Sequence, residues 1–226
     1  MRVPIPLKEV THPEKKLGVW TCPTGNFGHH VSQAILKGEN WATGMRNSRC
    51  PPRDAWLGLR HQLYRQMSYG FVALVHPPDK LEKSFQDVWY KCLPSLQVNR
   101  CIRTEWKMLP IQFQGLGLPN PNIDVLACKI QSLQRHWNTS SVTGKMLHRA
   151  YEVFQVEVGL GGNIFALSFE VFGDLASMGW FAHLWQLLDR YNVQFSFEDR
   201  LEIPMLREDD STFMDWVYNS NLFTHQ

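Results

Sequence analysis

Proline placement limits this 226-residue chain more than any other feature. Proline lacks an N–H and clashes with the preceding helical turn. A helix therefore cannot run through Pro51-Pro52, Pro77-Pro78, Pro94, Pro110, Pro119 or Pro121, although it can begin at one. Between these marks the apolar residues recur at helical spacing. Val31, Ala34, Ile35, Gly38, Trp41 and Met45 predict a first helix. Trp56, Leu59, Leu63 and Met67 predict a second, starting at Pro51-Pro52. Leu81, Phe85, Val88 and Cys92 form the inner face of a third, with Asp79–Lys83 and Asp87–Lys91 as outward i,i+4 pairs.

Residues 104–122 change character: Pro110, Gly115, Gly117, Pro119 and Pro121 make a loop, with a short strand expected at Ile111–Phe113. Helical spacing returns at Ile123, Leu126, Ile130, Leu133 and Trp137. Asn138–Ser141 reads as a linker, and Thr143 is placed to cap a helix through Val158 that Gly159-Leu160-Gly161-Gly162 ends. Further helices are expected between Ile164 and Tyr191 and near Ser211–Tyr218. The first 25 residues differ. Val3, Ile5 and Leu7 alternate around prolines, Leu17-Gly18-Val19-Trp20 is a short apolar run, and Pro23-Thr24-Gly25-Asn26 is a turn. The fold class that follows is mainly α: a helical bundle with a short extended N-terminal hairpin and a second helical segment. Its parts are an extended segment 1–25, a basic helical domain 26–137 and an acidic helical region 143–226.

A hydrophobic fraction of 44% with nine Trp and thirteen Phe supports a packed core, and excludes a disordered tail or a collagen-like fibre. Five scattered cysteines, odd in number and without a C-x-x-C pair, suggest neither a disulfide framework nor a zinc site. They predict a reducing, intracellular compartment, nucleus or cytoplasm. The N-terminus lacks a signal-peptide core, and no apolar run reaches the ~18 residues of a membrane span. No membrane partner is expected.

The net charge of +2 is a cancellation. Residues 1–150 carry 20 Lys and Arg against 9 Asp and Glu, while residues 151–226 carry 3 against 12. The resulting +11 and −9 predict a polyanion-binding surface on the first part. Its candidates are Arg46, Arg49, Arg53, Arg60 and Arg65, with Lys15, Lys16, Lys37, Arg100, Arg103, Lys107 and Lys129 in the same half. Arg53 and Arg60, two helical turns apart, are expected on one face opposite the Trp56 and Leu63 stripe. Such arrays hold nucleic-acid backbones by releasing condensed counterions, and an ordinary solvated helix face is the plainer alternative. Of the aromatics, Tyr64 and Tyr69 are the best placed to stack on bases; the tryptophans on apolar stripes belong to the core.

Chemistry is hard to assemble. Glu208, Asp209, Asp210 and Asp215 could in principle hold metal ions, but their surroundings read as a loop entering a capped helix. His29 and His30 have no ligand-spaced partners, and no nucleophile elbow or triad is present. No catalytic residue and no metal ligand is assigned.

Three segments in order resemble the C-terminal part of a non-LTR-type retroelement reverse transcriptase. Lys16-Leu17-Gly18-Val19-Trp20, followed by Gly25, resembles the hairpin that closes the palm, the primer grip. The helices from about 27 to 105 stand where the thumb would be. Leu109-Pro110 and Gln114-Gly115-Leu116-Gly117-Leu118-Pro119-Asn120-Pro121 resemble the "P…GGLGLP" segment that follows it, with Gln114 in place of the first Gly. The resemblance covers roughly 15–137. It implies a thumb-like bundle in which Leu17, Gly18 and Trp20 shape the primer grip and Arg46, Arg49, Arg53 and Arg60 line the duplex side. It further implies that fingers and palm lie upstream, so this chain is expected to bind an RNA/DNA template–primer duplex without polymerising. No cofactor is then expected, Mg²⁺ entering only with an upstream palm. The rival expectation is a helical protein-interaction module, or a non-functional relic, in which the acidic region packs on the basic one.

Overall fold

The computed structural model describes residues 9–196. The protein is mainly helical, with one two-stranded antiparallel hairpin near its N-terminus. The chain divides into two compact units, residues 1–128 and 129–226. The residues expected to be extended before position 9, and the acidic cluster at 208–215 with its helix, lie outside the described residues.

In the first unit, strand β1 (Glu14–Lys16) pairs with β2 (Val19–Thr21), Lys16 facing Val19. The two residues between them, Leu17 (φ 47°) and Gly18 (φ 90°), both take the left-handed conformation that a tight hairpin turn of this twist demands. Helix α1 (Gly28–Ser48) follows, and the Asn26 carboxamide oxygen accepts from the Gly28 N–H at 2.8 Å. Its inner face is His30, Val31, Ala34, Gly38 and Ala42. Gly38 is there because α4 (Pro78–Cys92) comes very close: a Cβ at 38 would stand 2.4 Å from Val88 Cγ1.

The second predicted helix is one continuous helical run in three parts: α2 (Pro52–Leu57), a π-helical stretch (Gly58–Leu63) and α3 (Tyr64–Ser68). Its buried residues are Ala55, Leu59, Leu63 and Met67. A repeat of four rotates by about 40° per step on an ideal α-helix; the wider π stretch takes up this drift and keeps all four inward. Trp56, expected on this inner stripe, sits at its rim because Ala55 holds the inner position. On α4 the expected face of Leu81, Phe85, Val88 and Cys92 is buried, together with Trp89. Tyr64, Phe71, Phe85 and Trp89 form a chain of ring contacts with centroids 5.8–6.3 Å apart. Lys91 pairs with Glu39 of α1 rather than with Asp87, since the approach of the two helices offers a carboxylate on the neighbouring element.

Residues 104–108, expected to belong to the loop, form a short helix, α5 (Thr104–Met108), because no proline or glycine interrupts them before Pro110. It leads into the Gly/Pro loop. Ile111–Phe113 is a 3₁₀ turn, not a strand, because its backbone has no neighbouring strand to pair with and closes on itself through Phe113 N–H to Pro110 O. The loop then folds back on α5: the N–H groups of Leu116, Gly117 and Leu118 donate to the carbonyls of Trp106, Leu109 and Lys107 at 3.0, 2.9 and 2.8 Å. Only glycine fits at 115, where a Cβ would stand 2.0 Å from Leu109 O.

Helix α6 (Pro121–His136) crosses the division between the units at Cys128 and Lys129. Its buried face is Asn122, Val125, Leu126, Lys129 and Leu133. Ile123, expected inside, is exposed, and Ile130 is only half-buried with Lys129 beside it in the interior position.

The second unit is built on α7 (Val142–Val158), α8 (Phe169–Phe172) and α9 (Trp180–Arg190). Ser141, not Thr143, caps α7: its hydroxyl accepts from the Gly144 N–H at 3.1 Å. Gly159 (φ 78°) ends the helix as expected. Tyr151 is fully buried among Trp137, Phe154, Phe165 and Phe181. Trp185, also fully buried, donates its indole N–H to Leu167 O at 2.7 Å.

Candidate nucleic-acid interface

Two grooves on the first unit collect cations from separate elements. The first, about 430 Å³, is lined by Lys15 and Gly18 of the hairpin, Lys37 of α1, His61 and Gln62 of the π stretch, Arg65 and Gln66 of α3, and Tyr69. The second, about 470 Å³, is lined by Arg53, Trp56, Leu57, Arg60 and His61 with Ile111, Gly115 and Leu116 of the Gly/Pro loop. His61 belongs to both. Among the described residues no carboxylate lines either groove.

The hairpin reaches the helices through histidine and tyrosine. His30 Nδ1 accepts from the Trp20 backbone N–H at 3.3 Å, while the Trp20 ring packs edge-on against His29 with centroids 4.5 Å apart. His30 is buried, and that burial, with Lys37 and His29 adding to it, lowers its pKa and keeps the ring neutral as an acceptor must be. Gly18 lies against Tyr69: a Cβ there would be 3.2 Å from the ring, and its φ disfavours any side chain. Position 18 thus admits the close approach that brings Lys15 to Arg65 and Lys37 across one groove.

The expected residues separate into three groups. Lys15, Gly18 and Arg65 meet in the first groove; Arg53 and Arg60 meet in the second. Arg60 is nevertheless committed. Its guanidinium donates to Leu116 O at 3.1 Å and lies 5.5 Å from the Trp56 ring centre, so Trp56 is under Arg60 and not opposite it. The third group lines neither groove. Lys16 alternates to the other side of β1 from Lys15; Leu17 is 93% exposed at the turn tip; and Trp20 anchors the hairpin to α1. Arg46 and Arg49 are exposed at the end of α1, where positive charge complements the helix C-terminus.

Of the two candidate stacking tyrosines, Tyr69 is exposed in the first groove. Tyr64 is packed against Trp89 and donates its hydroxyl to Asp124, and burial with that bond raises its pKa. His61, Gln62 and Gln66 are residues that sequence reasoning missed. Their signal was the pair of polar i,i+4 series, His61–Arg65–Tyr69 and Gln62–Gln66, on the outer face of the second helix.

Among the described residues no group of three or more His, Cys, Asp or Glu side chains is arranged to hold a metal ion, and no helix is long and apolar enough to cross a membrane. Comparison with protein-family models, curated proteins and solved structures finds no match to this chain.

Proposed function

We propose that the first unit binds the phosphate backbone of a nucleic-acid duplex without sequence preference, and that this capacity derives from a retroelement reverse transcriptase. The supporting observation is the meeting of Lys15, Lys37, Arg65 and Tyr69, from three elements of the chain, in one groove that no described carboxylate lines. A cation row of this kind neutralises successive phosphates and releases their counterions. An exposed tyrosine at its edge offers a face to an end base pair or an unpaired base. The tight turn at Leu17-Gly18 beside Tyr69, and the glycine-dependent closure of residues 110–121, agree with a primer-grip and thumb origin. On that reading an RNA–DNA template–primer hybrid is the natural ligand. Polymerisation belongs to a palm that is no part of residues 15–137, and Mg²⁺ enters only with it.

Fluorescence anisotropy with a labelled RNA–DNA hybrid tests the proposal. Four free cations (Lys15, Lys37, Arg53 and Arg65) predict a slope of log affinity against log salt of about −3 to −4. Arg53→Ala with Arg65→Ala should reduce that slope by about 2. Absence of binding at low salt would sink the proposal.

A further inference from the structure

Helix α7 shows two apolar faces, and the described residues of its own unit pack on only one. Tyr151, Phe154 and Val158 are buried against the aromatic core. On the other side Val142, Met146, Val153 and Val156 are 75%, 66%, 67% and 82% exposed. With Arg149 between them, these positions advance by alternating steps of four and three, the spacing of a seam between two helices. Isolated exposed apolar residues are ordinary, but a stripe along four turns is not.

The charges flanking the stripe identify what covers it. Lys145 and Glu152 are seven residues apart, so they occupy the same heptad position on one flank. When two copies of a helix pair antiparallel, equivalent flanks face each other with their order reversed. Lys145 of one copy then meets Glu152 of the other, and the same ion pair forms again by symmetry. In this register Val142 of one copy also lies over Val153 of the other, twice. The stem of Arg149 covers Met146 of the copy, its guanidinium staying with Glu152 of its own helix at 3.0 Å. A parallel pairing would instead set Lys145 beside Ala150 and leave the charges unmatched.

We propose that the α7 stripe is a self-association surface, on which a second copy of this chain docks antiparallel through Val142, Met146 and Val153, with Lys145 paired to Glu152 of the other copy. Seventeen residues make a helix about 25 Å long, and one helix pair of that length falls short of a standard interface. The dimer is therefore weak and reversible. It is independent of the cation grooves on the first unit.

Sedimentation velocity on the full chain, from about 1 to 200 µM, covers the affinity range expected of so small a contact. A concentration-dependent monomer–dimer equilibrium is expected, and Val153→Glu should leave only monomer. Lys145→Glu and Glu152→Lys should each weaken the dimer about tenfold, by replacing two attractions with two repulsions. Combining the two restores both pairs with reversed polarity, and should recover the original dimer. All three positions are exposed on a helix, so far-UV circular dichroism should show each variant folded. A chain that stays monomeric throughout overturns the proposal. So does a dimer indifferent to the single charge reversals, or one that the double reversal fails to restore.

Discussion

Positive charge stands in two contrasting settings, one in each unit. In the first, Lys15, Arg53 and Arg65 are exposed, and they gather around grooves that no described carboxylate lines. The second unit also exposes Lys145 and Arg149, but it buries one lysine completely. Lys129 has no exposed surface; its ammonium nitrogen lies 3.2 Å from Trp180 O and 4.5 Å from the Trp180 ring centre. Desolvation pushes its pKa well below the ordinary lysine value. A charge left in water is available to a partner, whereas one surrounded by rings mainly affects the stability of its own unit. Function and stability should accordingly be separable by mutation.

The largest expected effect is on the aromatic centre. Tyr151→Ala removes the ring around which Trp137, Phe165 and Phe181 pack, and should cost about 3–5 kcal/mol in thermal or denaturant unfolding. The same variant, held well below its transition, should bind the RNA–DNA hybrid as the parent does. Equal losses of stability and affinity would break the separation.

Next is Lys129→Met, which replaces a buried amine by an apolar side chain of similar length. It should stabilise the protein by about 1–3 kcal/mol, read as a raised midpoint in urea. The sign of the pH dependence follows from the lowered pKa. The unfolded chain takes up a proton that the folded one refuses, so stability rises as pH climbs toward the unfolded lysine value of about 10.4 and falls as pH drops below it. The methionine variant should lose that alkaline gain.

Gly38→Ala probes helix packing in the first unit, where a Cβ would press on Val88. It should cost about 1–3 kcal/mol, and Val88→Ala in the same chain should recover part of the loss.

The smallest effect belongs to His30. Its pKa is lowered in the folded state, so its contribution to stability is complete above the unfolded value of about 6.5 and declines as pH falls below that. Protonation also removes the acceptor for the Trp20 N–H. Hydrogen exchange at Trp20 should therefore accelerate between pH 7 and 5 while amides within α9 keep their relative protection.

Much of this architecture is legible in the linear pattern. Gly159 ends α7, Pro78 begins α4, and Leu81, Phe85, Val88 and Cys92 form its inner face, because caps, prolines and 3.6-residue spacing act within a turn or two. Apart from the cap of α7, which is Ser141 rather than Thr143, the main departures involve how elements pack. Ile111–Phe113 has strand-like residues but no partner strand, and Lys91 finds Glu39 across a helix contact that a glycine at 38 permits. Trp56 lies at the rim because a π stretch turns the helix about an Ala55 to Met67 face that no ideal period anticipates. The candidate site was half legible. Lys15, Gly18, Arg53, Arg60 and Arg65 lie at the grooves, whereas Arg46, Arg49, Lys16, Leu17 and Trp20 do not line them.

By itself, then, the sequence determined where the long helices run, where prolines and glycines stop them, and that positive charge concentrates in the first part of the chain. These properties depend on local sterics and on counting. Tertiary structure alone decided which cations share a groove. Lys15 and Arg65 share a groove only because a two-residue turn, a glycine against Tyr69 and a neutral His30 hold the hairpin onto the helices. Lys129 is withdrawn from solvent by residues of α9 that lie far along the chain. Charge is a property of residues, but the field a partner meets depends on their distances from one another and from water.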